Sequence, residues 1–280
     1  MLNKEYGFRR QIMRKILVPT DFSKAADKAL DWAIELAHQY GSTICLLHIY
    51  QVPAPAGYVL SVEGAIRGGA EKDMATRLQY TSDKLGRGGV VETKIHKGYT
   101  VPFITDIAER NEFDLIVMGM KGTSALREVF LGSMAKGVLQ STKVPLLVVP
   151  LEVAIQPIKK IVFAVDDEGI SSHKVVWPLT KIAKSNQANI MVYHLDRGDK
   201  DSGIDPTIDL FLEGIETTYH IETEEGKIHD SISHFVEANA ADMLCLIRRE
   251  KGFFARIFHP STTRKEIFRC EVPLLILHEA

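Results

Sequence analysis

In the stretch GMKGTSALREVFLGS, Gly119 and Gly122 stand three apart, and after nine further residues Gly132-Ser133 head a new helical pattern. That spacing suits an anion resting against bare backbone. A helix N-terminus offers unpaired N–H groups and about half a unit of positive charge, and glycine leaves no Cβ in an oxygen's path. The Ser133 hydroxyl would add a donor, and Lys121 and Arg127 would balance phosphate charge. Asp21 closes another apolar run, KILVPT, and a carboxylate there is placed to accept hydrogen bonds from hydroxyls or an exocyclic amine. Two plainer readings stay open at this point: the glycines as turn residues, and Ser133 as an N-cap. The stretch is neither the GxxxxGK[ST] phosphate loop nor the GxGxxG dinucleotide fingerprint.

The elements that must hold these residues recur along the chain. KILVPTD (Lys15 to Asp21) is echoed by KIVFAVD (Lys160 to Asp166), and STICLLHI (Ser42 to Ile49) by ANIMVYHL (Ala188 to Leu195). Gly98 to Leu147 aligns without a gap on Gly226 to Leu275, pairing Asp114 with Asp242 and Ser133 with Ser261. The chain therefore reads as a tandem repeat, with domains expected over 13–150 and 158–280.

Within the first copy, strand-like runs alternate with amphipathic stretches. From Ser23 to Tyr40 the apolar positions Ala26, Leu30, Ala33, Ile34, Ala37 and Tyr40 fall at helical spacing, with Ser23 as N-cap and Gly41 as C-terminal stop. Helices are expected around 65–85, 100–110 and 133–140, between the strands TICLLHI, VVETKIH, DLIVMG and PLLVV. Such alternation predicts an α/β fold, one five-stranded parallel sheet per copy with helices on both faces. The glycine loop then lies beyond the carboxyl ends of the strands, where ligands collect in such sheets.

Composition narrows the function classes. The 280 residues are 45% hydrophobic and carry a formal charge of -2, which gives no reason to expect nucleic acid or an anionic membrane as main partner. No apolar run approaches the roughly 20 residues that span a bilayer, and the N-terminus lacks a signal-peptide core, so the expected location is the cytoplasm. Cys45, Cys245 and Cys270 are too scattered for a disulfide framework, and Cys45 and Cys245 sit in apolar strand patterns as buried small hydrophobes. The ten histidines show no HxxxH or HExxH spacing, so no metal site is expected.

The pattern GxxG, nine residues, GS, with the opening KILVPTDFS and the closing VPLLVVP, resembles the ATP-binding branch of the universal stress protein family. The resemblance covers both copies and implies two tandem doubly wound domains, Rossmann-like and adenine nucleotide alpha hydrolase-like. The cofactor it implies is ATP, with or without Mg2+. Asp21 would meet the ribose or base, Pro19 and Thr20 would flank the adenine, and Ile49 would contact it. Met118 would line the same pocket, with Gly119, Gly122, Gly132, Ser133 and Met134 around ribose and phosphates. It also implies that the copies pair through their last strands as an internal pseudo-dimer, and leaves open a homodimer of whole chains.

The second copy has drifted. Gly119 becomes Ile247, Gly122 becomes Glu250 and Gly132 becomes Pro260, so no ATP is expected there. Between His194 and Gly226 the chain is shorter than between His48 and Gly98, so the second long loop and helix must be trimmed, and Pro178 should kink the first helix or delay its start. The basic run RREKGFFAR (Arg248 to Arg256) reads as a solvated loop whose phenylalanines pack on a neighbour. No catalytic carboxylate pair, Ser-His-Asp set or Cys-His pair can be assigned from spacing. The leading expectation is a nucleotide-binding stress-response regulator. Its rivals are a slow ATPase or phosphoryl or nucleotidyl transferase on the same fold, and an interaction protein that binds no nucleotide.

Overall fold

The run KILVP forms β1 (Lys15–Pro19), buried from Ile16 onward, in a computed structural model that describes residues 13–52, 59–120, 122–123, 128–129, 132–196, 203–223, 228–249 and 271–279. Helix α1 (Lys24–Tyr40) follows. The Ser23 hydroxyl accepts the Ala26 N–H at its start, and Gly41, left-handed at φ 69°, stops it. Next come β2 (Thr43–Tyr50), α2 (Val59–Leu85), β3 (Val90–Lys97), α3 (Thr100–Arg110) and β4 (Leu115–Met120). The loop expected after β4 contains a two-residue antiparallel pairing of β5 (Gly122–Thr123) with β6 (Glu128–Val129). Helix α4 (Ser133–Ser141) and β7 (Leu146–Pro150) complete the half.

The second half runs β8 (Lys160–Val165), α5 (His173–Asn186), β9 (Asn189–Asp196), α6 (Thr207–Phe211), β10 (Thr217–Thr223), α7 (Ile228–Ala238), β11 (Met243–Arg248) and β12 (Leu274–His278). Each half is a parallel sheet, ordered β3-β2-β1-β4-β7 and β10-β9-β8-β11-β12. The inner strands of each half are continuous buried apolar runs rather than alternating ones, while the outer strands β3 and β10 are polar and more exposed.

The two sheets are one. Strands β7 and β12 pair antiparallel, with Leu147 opposite Leu275. These two leucines are repeat equivalents, so the local axis relating the halves passes through that pair. The paired aspartates of the repeat also have a role in common. Asp114 Oδ2 accepts the N–H groups of Arg14 and Lys15 at 2.7 and 3.0 Å, and Asp242 Oδ2 accepts those of Lys159 and Lys160 at 2.7 and 2.9 Å. Each one anchors the start of its half's first strand.

The halves part company at two helices. Where the first has the 27-residue α2, the second has the five-residue α6, as the shorter spacing predicts. Pro178 lies inside α5, which opens seven residues after Asp166, whereas α1 opens three residues after Asp21. The delayed start removes the turn that would sit on the end of β11.

Candidate functional site

At the carboxyl ends of β1, β2 and β4, a cavity of about 190 Å³ is lined by Pro19, Thr20, Asp21, Ile49, Met118, Gly119, Gly132, Ser133 and Met134, among others. These are nine of the ten residues singled out from sequence. The tenth, Gly122, lies in β5 opposite Val129. Lys121, Arg127, Glu250, Pro260 and Ser261, together with residues 1–12, lie outside the described residues.

Each lining group is held by its element. The Thr20 N–H donates to the Leu47 carbonyl at 2.8 Å, extending the β1–β2 ladder by one residue. The Thr20 hydroxyl then accepts from Phe22 N–H at 3.0 Å, and Asp21 Oδ1 accepts from Ser23 N–H at 3.1 Å. Phe22 is forced to a left-handed φ of 62°, unusual for an aromatic residue. It is kept there by His48, stacked at 4.3 Å, and by Arg77 of α2, whose guanidinium lies 5.2 Å from the ring centroid. The same guanidinium donates to the Phe22 carbonyl at 3.0 Å and grips Asp27 with two bonds of 3.0 and 3.1 Å. His48 Nδ1 faces the Thr20 carbonyl at 2.8 Å; a carbonyl only accepts, so that nitrogen carries the proton.

The two glycines nearest the cavity are glycines for different reasons. A Cβ on Gly119 would stand 1.9 Å from the Ala25 carbonyl oxygen, so the residue is bare because the first turn of α1 presses on β4. This corrects the expectation that its missing side chain makes room for an anion. A Cβ on Gly132 would meet nothing within 4 Å, and its φ of -55° suits any residue. Neither packing nor backbone strain explains that glycine.

Gly132 is also the N-cap of α4, with no side-chain capping bond, and Ser133 is the first helical residue, exposed. The N-cap reading of Ser133 is thereby set aside. The uncapped first turn of α4 brings backbone donors and the positive end of its dipole to the cavity.

Sequence reading missed Ser23, Ala25, Ala26, Leu47, Thr100, Ile104 and Ala135, which also line the cavity. Thr100 had a signal: it opens α3 just past the end of β3, on the edge where loops and helix starts converge. Burial pushes the Cys45 thiol up to about 11 and raises Cys245 well above its ordinary value, so both are inert small hydrophobes as expected. Among the described residues no group of three or more His, Cys, Asp or Glu side chains is arranged to hold a metal ion. Nor is any described helix long and apolar enough to cross a membrane.

The equivalent place in the second half is filled from within. Asp166, the counterpart of Asp21, is 5% exposed and ion-paired to Arg249, the counterpart of Lys121, itself 8% exposed. Arg249 also bonds Glu279 at 2.7 Å and the carbonyls of Glu168 and Gly169 at 3.1 and 2.8 Å. Burial alone would raise the Glu279 carboxyl, but the Ser171 N–H and Arg249 outweigh it and hold it below its ordinary value. This corrects the solvated-loop reading of the basic run at its first two residues. Arg249 is a buried plug, and Arg248 reaches across to the Gln140 carbonyl at 3.3 Å.

A model of the universal stress protein family matches residues 13–150. Universal stress protein YxiE of Bacillus subtilis is 31% identical over 147 residues, spanning 49% of this chain and 99% of its own length. Universal stress protein Slr1230 of Synechocystis is 24% identical and covers 94% of this chain and 99% of itself. Among solved structures, a universal stress protein from Archaeoglobus fulgidus superposes with a TM-score of 0.73 at 22% identity, over 96% of this chain and 99% of that one. That last likeness speaks to the fold.

Proposed function

Because this chain belongs to the universal stress protein family, we propose that it binds ATP, with or without Mg2+, in its N-terminal half and acts as a nucleotide-dependent stress-response regulator in the cytoplasm. The observation that carries the reading is the convergence on one cavity of Asp21, the end of β2, Met118 and the uncapped start of α4, where the space a Gly132 side chain would fill is open. Asp21 and the Thr20 backbone suit the ribose and base, while Gly132, Ser133 and Met134 offer N–H donors to phosphate oxygens. Residues 13–150 and 158–280 act as separate domains in this reading, and the second takes no nucleotide because Arg249 already occupies Asp166.

The chain has one tryptophan in each half, Trp32 in α1 and Trp177 in α5, so the halves can be followed separately by fluorescence. A ligand present at a hundredfold excess over its Kd stabilises the half it binds by about 2.7 kcal/mol. ATP should therefore raise the denaturation midpoint reported by Trp32 and leave that of Trp177 in place. Small molecules released from natively purified protein should include an adenine nucleotide by mass spectrometry. No shift at Trp32 with saturating ATP, and no nucleotide released, would sink the proposal; steady turnover with Mg2+ would favour the transferase or ATPase alternative.

A further inference from the structure

We propose that β10 is a dimerisation edge through which two copies of this chain pair antiparallel, extending the ten-stranded sheet across a twofold axis at His220. The two outer edges of the sheet, β3 and β10, are repeat equivalents with opposite treatment. His48 is in register with Ile95 and His194 with Ile221, so Ile95 and Ile221 occupy the same place. Ile95 packs against the core beneath α2, and the edge strand carries Glu92, Lys94 and Lys97, the last bridged to Glu63 of α2 at 2.7 Å. Edges covered and charged in this way resist pairing. In the second half α6 is five residues long and does not reach as far. Ile221 is left 59% exposed, Tyr219 42% and Leu210 of α6 73%, and no lysine or proline interrupts the strand TTYHIET.

Among the described residues no strand pairs with the outer side of β10, and that edge is self-complementary. The Ile190 N–H donates to the Glu216 carbonyl, and with Thr217 opposite Ile190 the backbone groups of Thr218, His220 and Glu222 turn toward β9. Those of Thr217, Tyr219, Ile221 and Thr223 therefore point outward. About an axis at His220, Tyr219 of one copy faces Ile221 of the other as a hydrogen-bonded pair, with Thr217 opposite Thr223. Aromatic and β-branched side chains make favourable cross-strand pairs. Glu222 falls opposite Thr218, a hydroxyl donor, and the two Glu222 side chains lie about 14 Å apart along the strands, beyond the Debye length of about 8 Å at physiological salt. The chain already uses this device internally, where β7 and β12 pair antiparallel about equivalent leucines.

Sedimentation velocity of the full chain across the micromolar range should show a reversible dimer. Ile221→Lys, at an exposed position, should weaken it by about tenfold or more without changing the unfolding midpoint at concentrations where the wild type is monomeric, since both symmetric pairs are lost. In a Cys270→Ser background, with Cys45 and Cys245 buried, His220→Cys should form a disulfide-linked dimer on mild oxidation because that residue faces its own copy. Thr218→Cys should not, because it faces Glu222 of the partner copy. A monomer throughout the range, a dimer indifferent to Ile221→Lys, or Thr218→Cys linking as readily as His220→Cys would overturn the inference. None of these readouts depends on nucleotide.

Discussion

Gly119 and Ile247 hold the same place in the two halves, and what lies above each explains the difference. Over Gly119 sits the Ala25 carbonyl in the first turn of α1, closer than any side chain permits. Over Ile247 there is no such turn, because α5 begins later, and the isoleucine is buried in the space. Glycine and early helix start form one packing solution; isoleucine and late start form another. The first leaves a cavity lined by strand ends and helix N-termini, and the second puts the buried Ile247 and Arg249 at the matching strand end.

The aspartates sharpen the contrast. Asp21 is exposed at the cavity, whereas Asp166 is buried against Arg249. The drifted half has an internal cation on its carboxylate. Arg249→Met should break this most severely. It leaves Asp166 buried and without its charge partner, a change that typically costs about 3–5 kcal/mol. The loss should appear in urea denaturation followed at Trp177 and be absent at Trp32. The same variant should blunt the acid response. The Glu279 pKa is lower folded than its ordinary 4.5, so its contribution is present above that value and is lost as pH falls through the folded value. Wild type should lose second-half stability on acidification below about pH 4.5, and Arg249→Met should lose less.

Gly119→Ile transplants the second half's residue without its late helix. The new Cβ would meet backbone rather than a movable side chain, so α1 must shift, at a cost of about 1–3 kcal/mol for overpacking. Trp32 should report the change, and ATP affinity should fall with it. An unchanged Trp32 midpoint would break the account of why the two strand ends differ.

How much of this was legible beforehand depends on the range of the interaction. Ser23, Gly41 and the apolar strand runs act locally, and their elements form where spacing and caps predict. The repeat placed Leu147 and Leu275 at equivalent positions, but that the last strands pair was implied by the family resemblance and not by the repeat. Gly119 was misread because its reason is a carbonyl nearly a hundred residues away in sequence, and nothing in GMKG announces Ala25. Arg249 was misread because RREKGFFAR looks like a solvated loop until Asp166, Glu168 and Glu279 are brought around it. Arg77 left no signal at all: its partners Asp27 and Phe22 lie in another element.

Gly132→Val separates binding from folding in the first half. The position is open and its backbone ordinary, so stability at Trp32 should stay within about 0.5 kcal/mol of wild type. ATP affinity, measured by equilibrium dialysis, should fall by about tenfold or more, since the isopropyl group would intrude on the start of α4 where phosphate is expected. Retained affinity would remove the cavity's link to Gly132 and leave that glycine unexplained.

The smallest expected difference tests whether the helix starts are as unlike as they look. Ser23 accepts the Ala26 N–H at 3.4 Å, a long bond, while Ser172 precedes α5 with no side-chain capping bond. Ser23→Ala should lower the Trp32 midpoint by the equivalent of about 0.5–1 kcal/mol, at the weak end for N-caps. Ser172→Ala should leave the Trp177 midpoint unmoved. Equal losses in both halves would mean that α5 has a working cap after all.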